Sequence, residues 1–177
     1  MKKEGELYIM RYRLIPLIEN AYKDTEWIKR VFNKVKRFYK EVLKINLDYM
    51  NLKFTTKVYN EDGSVNEEMS SRPDKGEGDW TKNHIIYIRP NQVNIRTQHM
   101  NTFNKEKYIA QVIAHELAHE CYHNNLLSLK DKNIPLAYTK YVKSFKKGSE
   151  HYKEELYADS VGNYIAAKLY NSTSSKT

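Results

Sequence analysis

Between residues 25 and 45, Ile28, Val31, Val35, Phe38, Val42 and Ile45 recur at intervals of 3, 4, 3, 4 and 3. That is the spacing of one helix face, with Asp24 or Thr25 as N-cap. The other faces carry Lys29, Arg30, Lys34, Lys36, Arg37, Lys40 and Lys44. The pattern predicts a helix that packs by one stripe on a core and turns a basic face to solvent, a face that could also meet nucleic acid although no recognition motif accompanies it. Residues 52–59 alternate like a strand, and Asn60-Glu61-Asp62-Gly63 is a turn signal that predicts a return through Val65 and Met69 as a hairpin. Residues 70–78 read as loop, and Gly76-Glu77-Gly78 lacks the lysine and helix start of a phosphate loop. A second strand is predicted at 84–89, closed by Pro90 and followed by a polar connection.

Helical spacing returns over 104–124, where Ile109, Val112, Ile113 and Leu117 supply the apolar positions. Pro135 opens a shorter amphipathic stretch to about residue 145, Gly148-Ser149 punctuates it, and 150–170 predicts a last helix. With no internal repeat, residues 1–170 read as one domain and 171–177 as a flexible polar tail.

Composition narrows the class. The chain has 177 residues, 40% hydrophobic and 29% charged, which excludes collagenous, transmembrane and strongly disordered polypeptides. A net charge of +8 favours acidic partners without naming one. The single cysteine, Cys121, excludes an intramolecular disulfide and an all-cysteine metal cluster, and suits a reducing compartment. The early apolar stretch at 8–18 is interrupted by Arg11 and Arg13 and lacks a small-residue cleavage site, so a cytoplasmic location and no membrane partner are expected. Asn171-Ser172-Thr173 matches a glycosylation acceptor, but without a secretion signal it reads as tail.

The chemistry lies in His115-Glu116-Leu117-Ala118-His119, an HExxH arrangement in the middle of the 104–124 helix. Histidines at i and i+4 stand one turn apart on one face, so both imidazoles can reach a single zinc ion. Glu116 sits about 100° further round, where its carboxylate can reach an activated water rather than the metal. Catalytic zinc takes three protein ligands, and the last helix offers Glu155-Leu156-Tyr157-Ala158-Asp159. Glu155, Asp159, Gly162 and Ala166 share a face there. Two carboxylates on a small-residue, mostly apolar stripe need cations or donors. Glu155 can bind the metal, Asp159 can accept the other ring N–H of His115 or His119, and Gly162 lets the two helices approach. The alternative is that both acids face solvent beside Lys153 and Glu154.

Among the remaining histidines, His123 is too far along the helix from His115 to close the site and reads as supporting or surface. His84 and His99 stand in no ligand spacing. His151, one turn before Glu155, could replace it in a three-histidine site or stabilise an oxyanion. Cys121 lies off the histidine face and is expected in the core.

HExxH followed on a later helix by E-x-x-A-D resembles the gluzincin metallopeptidases, thermolysin-like in active site, and at this length the chain looks most like compact, minimal gluzincins. The resemblance runs from the strand at residue 84 through the last helix. It implies an α+β zincin-like domain with a small mixed sheet, an N-terminal backing helix, the HExxH helix and a C-terminal glutamate helix. Implied with it are one Zn2+ on His115, His119 and Glu155, with Asp159 supporting the ligands. By the same resemblance, the 84–89 strand would form the sheet edge above the metal and bind an extended peptide; the alternation of its side chains, with the more hydrophobic set inward, puts Ile86 and Ile88 towards the core and Tyr87 away from it.

The expected function is zinc-dependent peptide hydrolysis through an activated water, with Glu116 as general base. A further donor must face the oxyanion. His151, Tyr152 and Tyr157 are candidates, with Tyr122, Tyr138 and Tyr141 the other tyrosines of the region. The rival readings are a SprT-like three-histidine protease acting near DNA, and a non-catalytic zinc-containing binding module, in which an intact Glu116 would have no use.

Overall fold

Thr25 opens helix α1 (Glu26–Glu41) in a computed structural model that describes residues 24–171. The apolar stretch at 8–18, and the tail apart from Asn171, lie outside the described residues. The buried stripe of α1 is Ile28, Val31, Phe32, Val35 and Tyr39. Val42, expected on that stripe, lies past the helix end and is exposed, because the chain turns at Lys44 (φ 61°) and the Ile45 amide donates back to Tyr39 O at 2.8 Å. Tyr39 is fully buried, and its hydroxyl donates to Ala114 O at 2.8 Å, so α1 backs the segment that carries His115.

The strand expected over 52–59 is divided between two sheets. β1 (Asn51–Phe54) ends where Thr55 Oγ1 accepts from the Lys57 amide at 3.0 Å and turns the chain. β2 (Val58–Tyr59) then pairs antiparallel with β3 (Val65–Asn66), closed by Gly63 at φ 90°. Met69 is not in the returning strand, because Asn66 caps a short helix, α2 (Glu67–Ser70), by accepting from the Met69 amide at 3.0 Å.

The larger sheet has the order β1–β5–β4, where β4 is Gly78–Thr81 and β5 is Ile85–Ile88. β5 pairs parallel with β1 and antiparallel with β4, so the 84–89 strand is central, not the edge its resemblance implied. The edges are β1 and β4, and β4 begins at Gly78, the last residue of the expected 70–78 loop. Arg89 holds it there. Only 2% exposed, this guanidinium donates to Gly76 O at 2.6 Å and Lys57 O at 3.1 Å and pairs with Asp79, while the Arg89 amide donates to Glu77 O at 2.7 Å. A buried charge needs such partners, and these fix residues 76–79 alongside β5. Within β5 the alternation is as expected: Ile86 and Ile88 are buried, and Tyr87 stacks on Tyr59.

Helix α3 (Pro90–Thr97) occupies the expected polar connection, with proline in its first turn, where a missing N–H costs nothing. Helix α4 (Thr102–His123) starts at Asn101, whose side chain accepts from the Asn104 amide at 2.8 Å. Only Lys140–Lys143 (α5) is helical in the 135–145 stretch. Helix α6 (Glu150–Leu169) is capped by Ser149 Oγ accepting from the Tyr152 amide at 3.1 Å. The described residues thus form a small mixed α+β fold of six helices and a small sheet. None of these helices is long and apolar enough to cross a membrane.

Where α6 crosses α4, a Cβ on Gly162 would stand 2.8 Å from Gln111 O and 3.3 Å from His115 Cβ. Only glycine admits this approach.

Candidate metal centre

His115 and His119 project from consecutive turns of α4 with their Nε2 atoms 3.2 Å apart. Glu155 meets them from α6: Oε2 is 3.1 Å from His115 Nε2 and Oε1 is 3.5 Å from His119 Nε2. All three residues are buried, and one ligand atom from each lies within 4.8 Å of the others. Glu155 Oε2 is buried without a hydrogen-bond partner. A carboxylate oxygen left so is costly unless a cation completes the site. The donor set of two imidazoles and one carboxylate fits a zinc-like divalent ion.

The outer ring atoms are each held by an acid. His115 Nδ1 is 2.7 Å from Asp159 Oδ1, and His119 Nδ1 is 2.9 Å from Glu154 Oε1. With each Nδ1 facing a carboxylate, a ring that gives up its second proton keeps the remaining one on Nδ1 and turns its Nε2 lone pair to Glu155 and a bound cation. Asp159 also accepts from Thr139 Oγ1 and from Gln111 Nε2 at 3.4 Å, while Glu154 reaches His123 Nε2 at 2.7 Å. Burial pushes the His115 pKa down, but Asp159, Glu155 and Glu116 outweigh it and hold it at about 10. Burial raises Glu155 and Asp159 in turn, yet their contacts with His115 and His119 keep both below the usual carboxylate range.

Glu116, one position round the helix, is partly buried in the wall of a cleft of about 930 Å3. Desolvation lifts its pKa to about 7 against the opposing pull of His115 and His119. That is the range in which a carboxyl group both accepts and returns a proton at neutral pH. Gly78, the first residue of β4, lines the same cleft, and a Cβ there would lie 3.6 Å from Glu116 Cγ and 2.8 Å from Ile88 Cδ1. Tyr141 also lines it, its ring centroid 6.0 Å from that of His115. Burial and the charges of Glu155 and Glu116 raise its hydroxyl well above the usual range. Thr139 sets this tyrosine in place, since its Oγ1 caps α5 at the Val142 amide (3.2 Å) while donating to Asp159.

His115, Glu116, His119, Glu155 and Asp159 are therefore brought together. His151, Tyr152 and Tyr157 are not among the residues lining the cleft. His151 is exposed beside Phe145, Tyr152 lines a separate hollow with Tyr138, and the Tyr157 hydroxyl donates to Leu127 O at 2.7 Å. Cys121 is buried in the core. Glu154 and Glu120 carried no signal as site residues. Glu154 looks like one more acid on a charged helix, and its contact with His119 depends on how α6 docks. Glu120 is fully buried and accepts from Trp80 Nε1 at 3.3 Å and Asn124 Nδ2 at 3.0 Å, with His84 Nδ1 at 3.0 Å. It ties the HExxH helix to the β4–β5 turn, where His84 adopts φ 62°.

No protein-family model matches the chain, and no curated protein and no solved structure matches it either.

Proposed function

We propose that this protein is a zinc-dependent metallopeptidase with a gluzincin-type site. The observation that carries the reading is the buried convergence of His115, His119 and Glu155 beside Glu116, with Glu155 Oε2 lacking a hydrogen-bond partner. Those three residues would hold the ion, while Asp159 and Glu154 orient the two imidazoles. Zinc supplies a Lewis acid for the scissile carbonyl and lowers the pKa of water to about 7.

The chain's own groups account for the proton traffic. Glu116 takes a proton from the attacking water on its carboxylate and returns it to the departing amide nitrogen, a two-way task that its desolvated place in the cleft wall favours by raising its proton affinity. The Tyr141 hydroxyl is a cleft-lining donor whose ring stands 6.0 Å from that of His115, and we assign it the developing oxyanion. An extended peptide would add to the sheet at β4 rather than the central β5, because β4 is the edge strand whose Gly78 lines the cleft beside Glu116. Glu155 as third ligand supports the gluzincin branch over the three-histidine one, since His151 stands outside the cluster.

The test is cleavage of a peptide library by zinc-loaded wild type and zinc-loaded Glu116→Gln, read as new termini by mass spectrometry. Wild type should cut and the variant should bind zinc without cutting. Cleavage by both at one rate would remove Glu116 from the reaction.

A further inference from the structure

The charges of the cleft bear on which peptides it takes, an inference that rests on the peptidase reading. Most of its ionic groups are matched within the wall. Arg96 Nε lies 2.9 Å from Glu77 Oε1, which also accepts from the Tyr108 hydroxyl, and Asp159 is held by His115 and Thr139. Glu116 stands among the histidines. Among the described residues two cations are left over: Lys107, half-buried on α4, and Lys140, exposed at the start of α5, both lining the cleft and neither in an ion pair with a described acid.

Their positions span the length of a bound peptide. Lys140 adjoins Tyr141, whose ring is near His115, whereas Lys107 precedes His115 by eight residues, about 12 Å along the helix axis. An extended peptide advances roughly 3.3 Å per residue, so the offset of Lys107 corresponds to about four residues of a peptide whose scissile bond lies over His115, and Lys140 stands beside the Tyr141 end of the same cleft. The basic character continues past Lys140, since Lys143, Lys146 and Lys147 pair with no acid among the described residues, whereas Lys153 is engaged by Glu150 at 3.2 Å.

We propose that Lys107 and Lys140 select peptides bearing an Asp or Glu side chain within about four residues of the cleaved bond. A phosphate backbone would also be drawn to these lysines, but it would have to pass Glu116, which has no cation paired to it among the described residues, and the carboxylates of Glu77 and Asp159, which line the same cleft already paired. An isolated acidic side chain on a neutral peptide backbone meets the lysines without running a string of charges past those acids.

Wild-type cut sites in the peptide library should be enriched in Asp and Glu within four residues of the cut. For the best acidic peptide, the ratio of kcat/KM to that of its Glu→Gln analogue should be about fivefold per lysine engaged and should shrink with added salt. Lys107→Gln and Lys140→Gln should each lower that ratio, Lys107→Glu should shift preference towards a Lys-bearing peptide, and Lys36→Gln on α1 should leave the ratio alone. Cleavage without acidic enrichment, or a ratio indifferent to both lysines, overturns the proposal while leaving the peptidase reading intact. No cleavage of any peptide overturns both. Preferential competition by a single-stranded oligonucleotide over acidic peptide would assign the lysines to nucleic acid instead.

Discussion

Replacing Gly162 with alanine puts a methyl group into the closest approach between α4 and α6. The added Cβ would stand 2.8 Å from Gln111 O, 3.3 Å from His115 Cβ and 3.4 Å from His115 N. Carbon-to-oxygen contacts settle at about 3.3–3.6 Å, so the helices must part by roughly 0.5 Å, and a backbone carbonyl within a helix cannot rotate aside. Glu155 and Asp159 ride on α6 while His115 rides on α4. A parting of that size exceeds the ~0.2 Å tolerance of metal-ligand distances. Overpacking costs about 1–3 kcal/mol, offset by about 1 kcal/mol from the better helix propensity of alanine. The metal-free variant should therefore be up to about 2 kcal/mol less stable, and its zinc affinity roughly 10- to 100-fold weaker. Chemical denaturation of metal-free protein and zinc competition against a chelator measure the two effects. A variant stabilised by about 1 kcal/mol with unchanged zinc affinity would refute the reasoning, since propensity alone would then be acting.

Glu155→Ala should lower zinc affinity strongly, Asp159→Asn by about 10- to 100-fold, and His151→Ala hardly at all; the opposite ranking in the same competition assay would favour the three-histidine scheme. Tyr141→Phe should cut kcat by about 100- to 1000-fold with little change in zinc affinity, and an unaffected kcat would withdraw its role at the oxyanion. The pH dependence follows from His115, whose pKa is raised from 6.5 to about 10 in metal-free protein. A raised pKa means that its ion pairs stabilise the fold fully below pH 6.5 and that this contribution is lost as pH rises through about 10. Zinc must displace that proton, so zinc affinity should climb by up to about tenfold per pH unit between pH 7 and 9, and a flat profile would contradict the assignment.

The HExxH and glutamate helices were legible because their helical pattern and their ligand spacing agree with one another, although α4 starts earlier than expected, at the Asn101 cap. Gly162 could be read as a contact point for the same reason. The edge strand was not legible: Gly-Asp-Trp-Thr is short, follows a glycine-rich run and owes its place to the buried Arg89, a contact from across the sheet. Helix α3 escaped because its buried positions are Pro90, Gln92, Val93 and Thr97, two of them polar, which leaves no apolar helical stripe. Tyr141 could not be ranked among the tyrosines, since what places it in the cleft is the bond from Thr139 to Asp159 on another helix.

The central claim, a hydrolytic centre built on His115, His119 and Glu155, is tested most directly by titrating metal-stripped protein with zinc while following cleavage of one library-derived peptide. Activity should be nil at the start, rise in proportion to zinc bound, and level off at about one equivalent per chain. Cleavage that is undiminished in metal-stripped protein, or a chain that takes up no zinc, would contradict it.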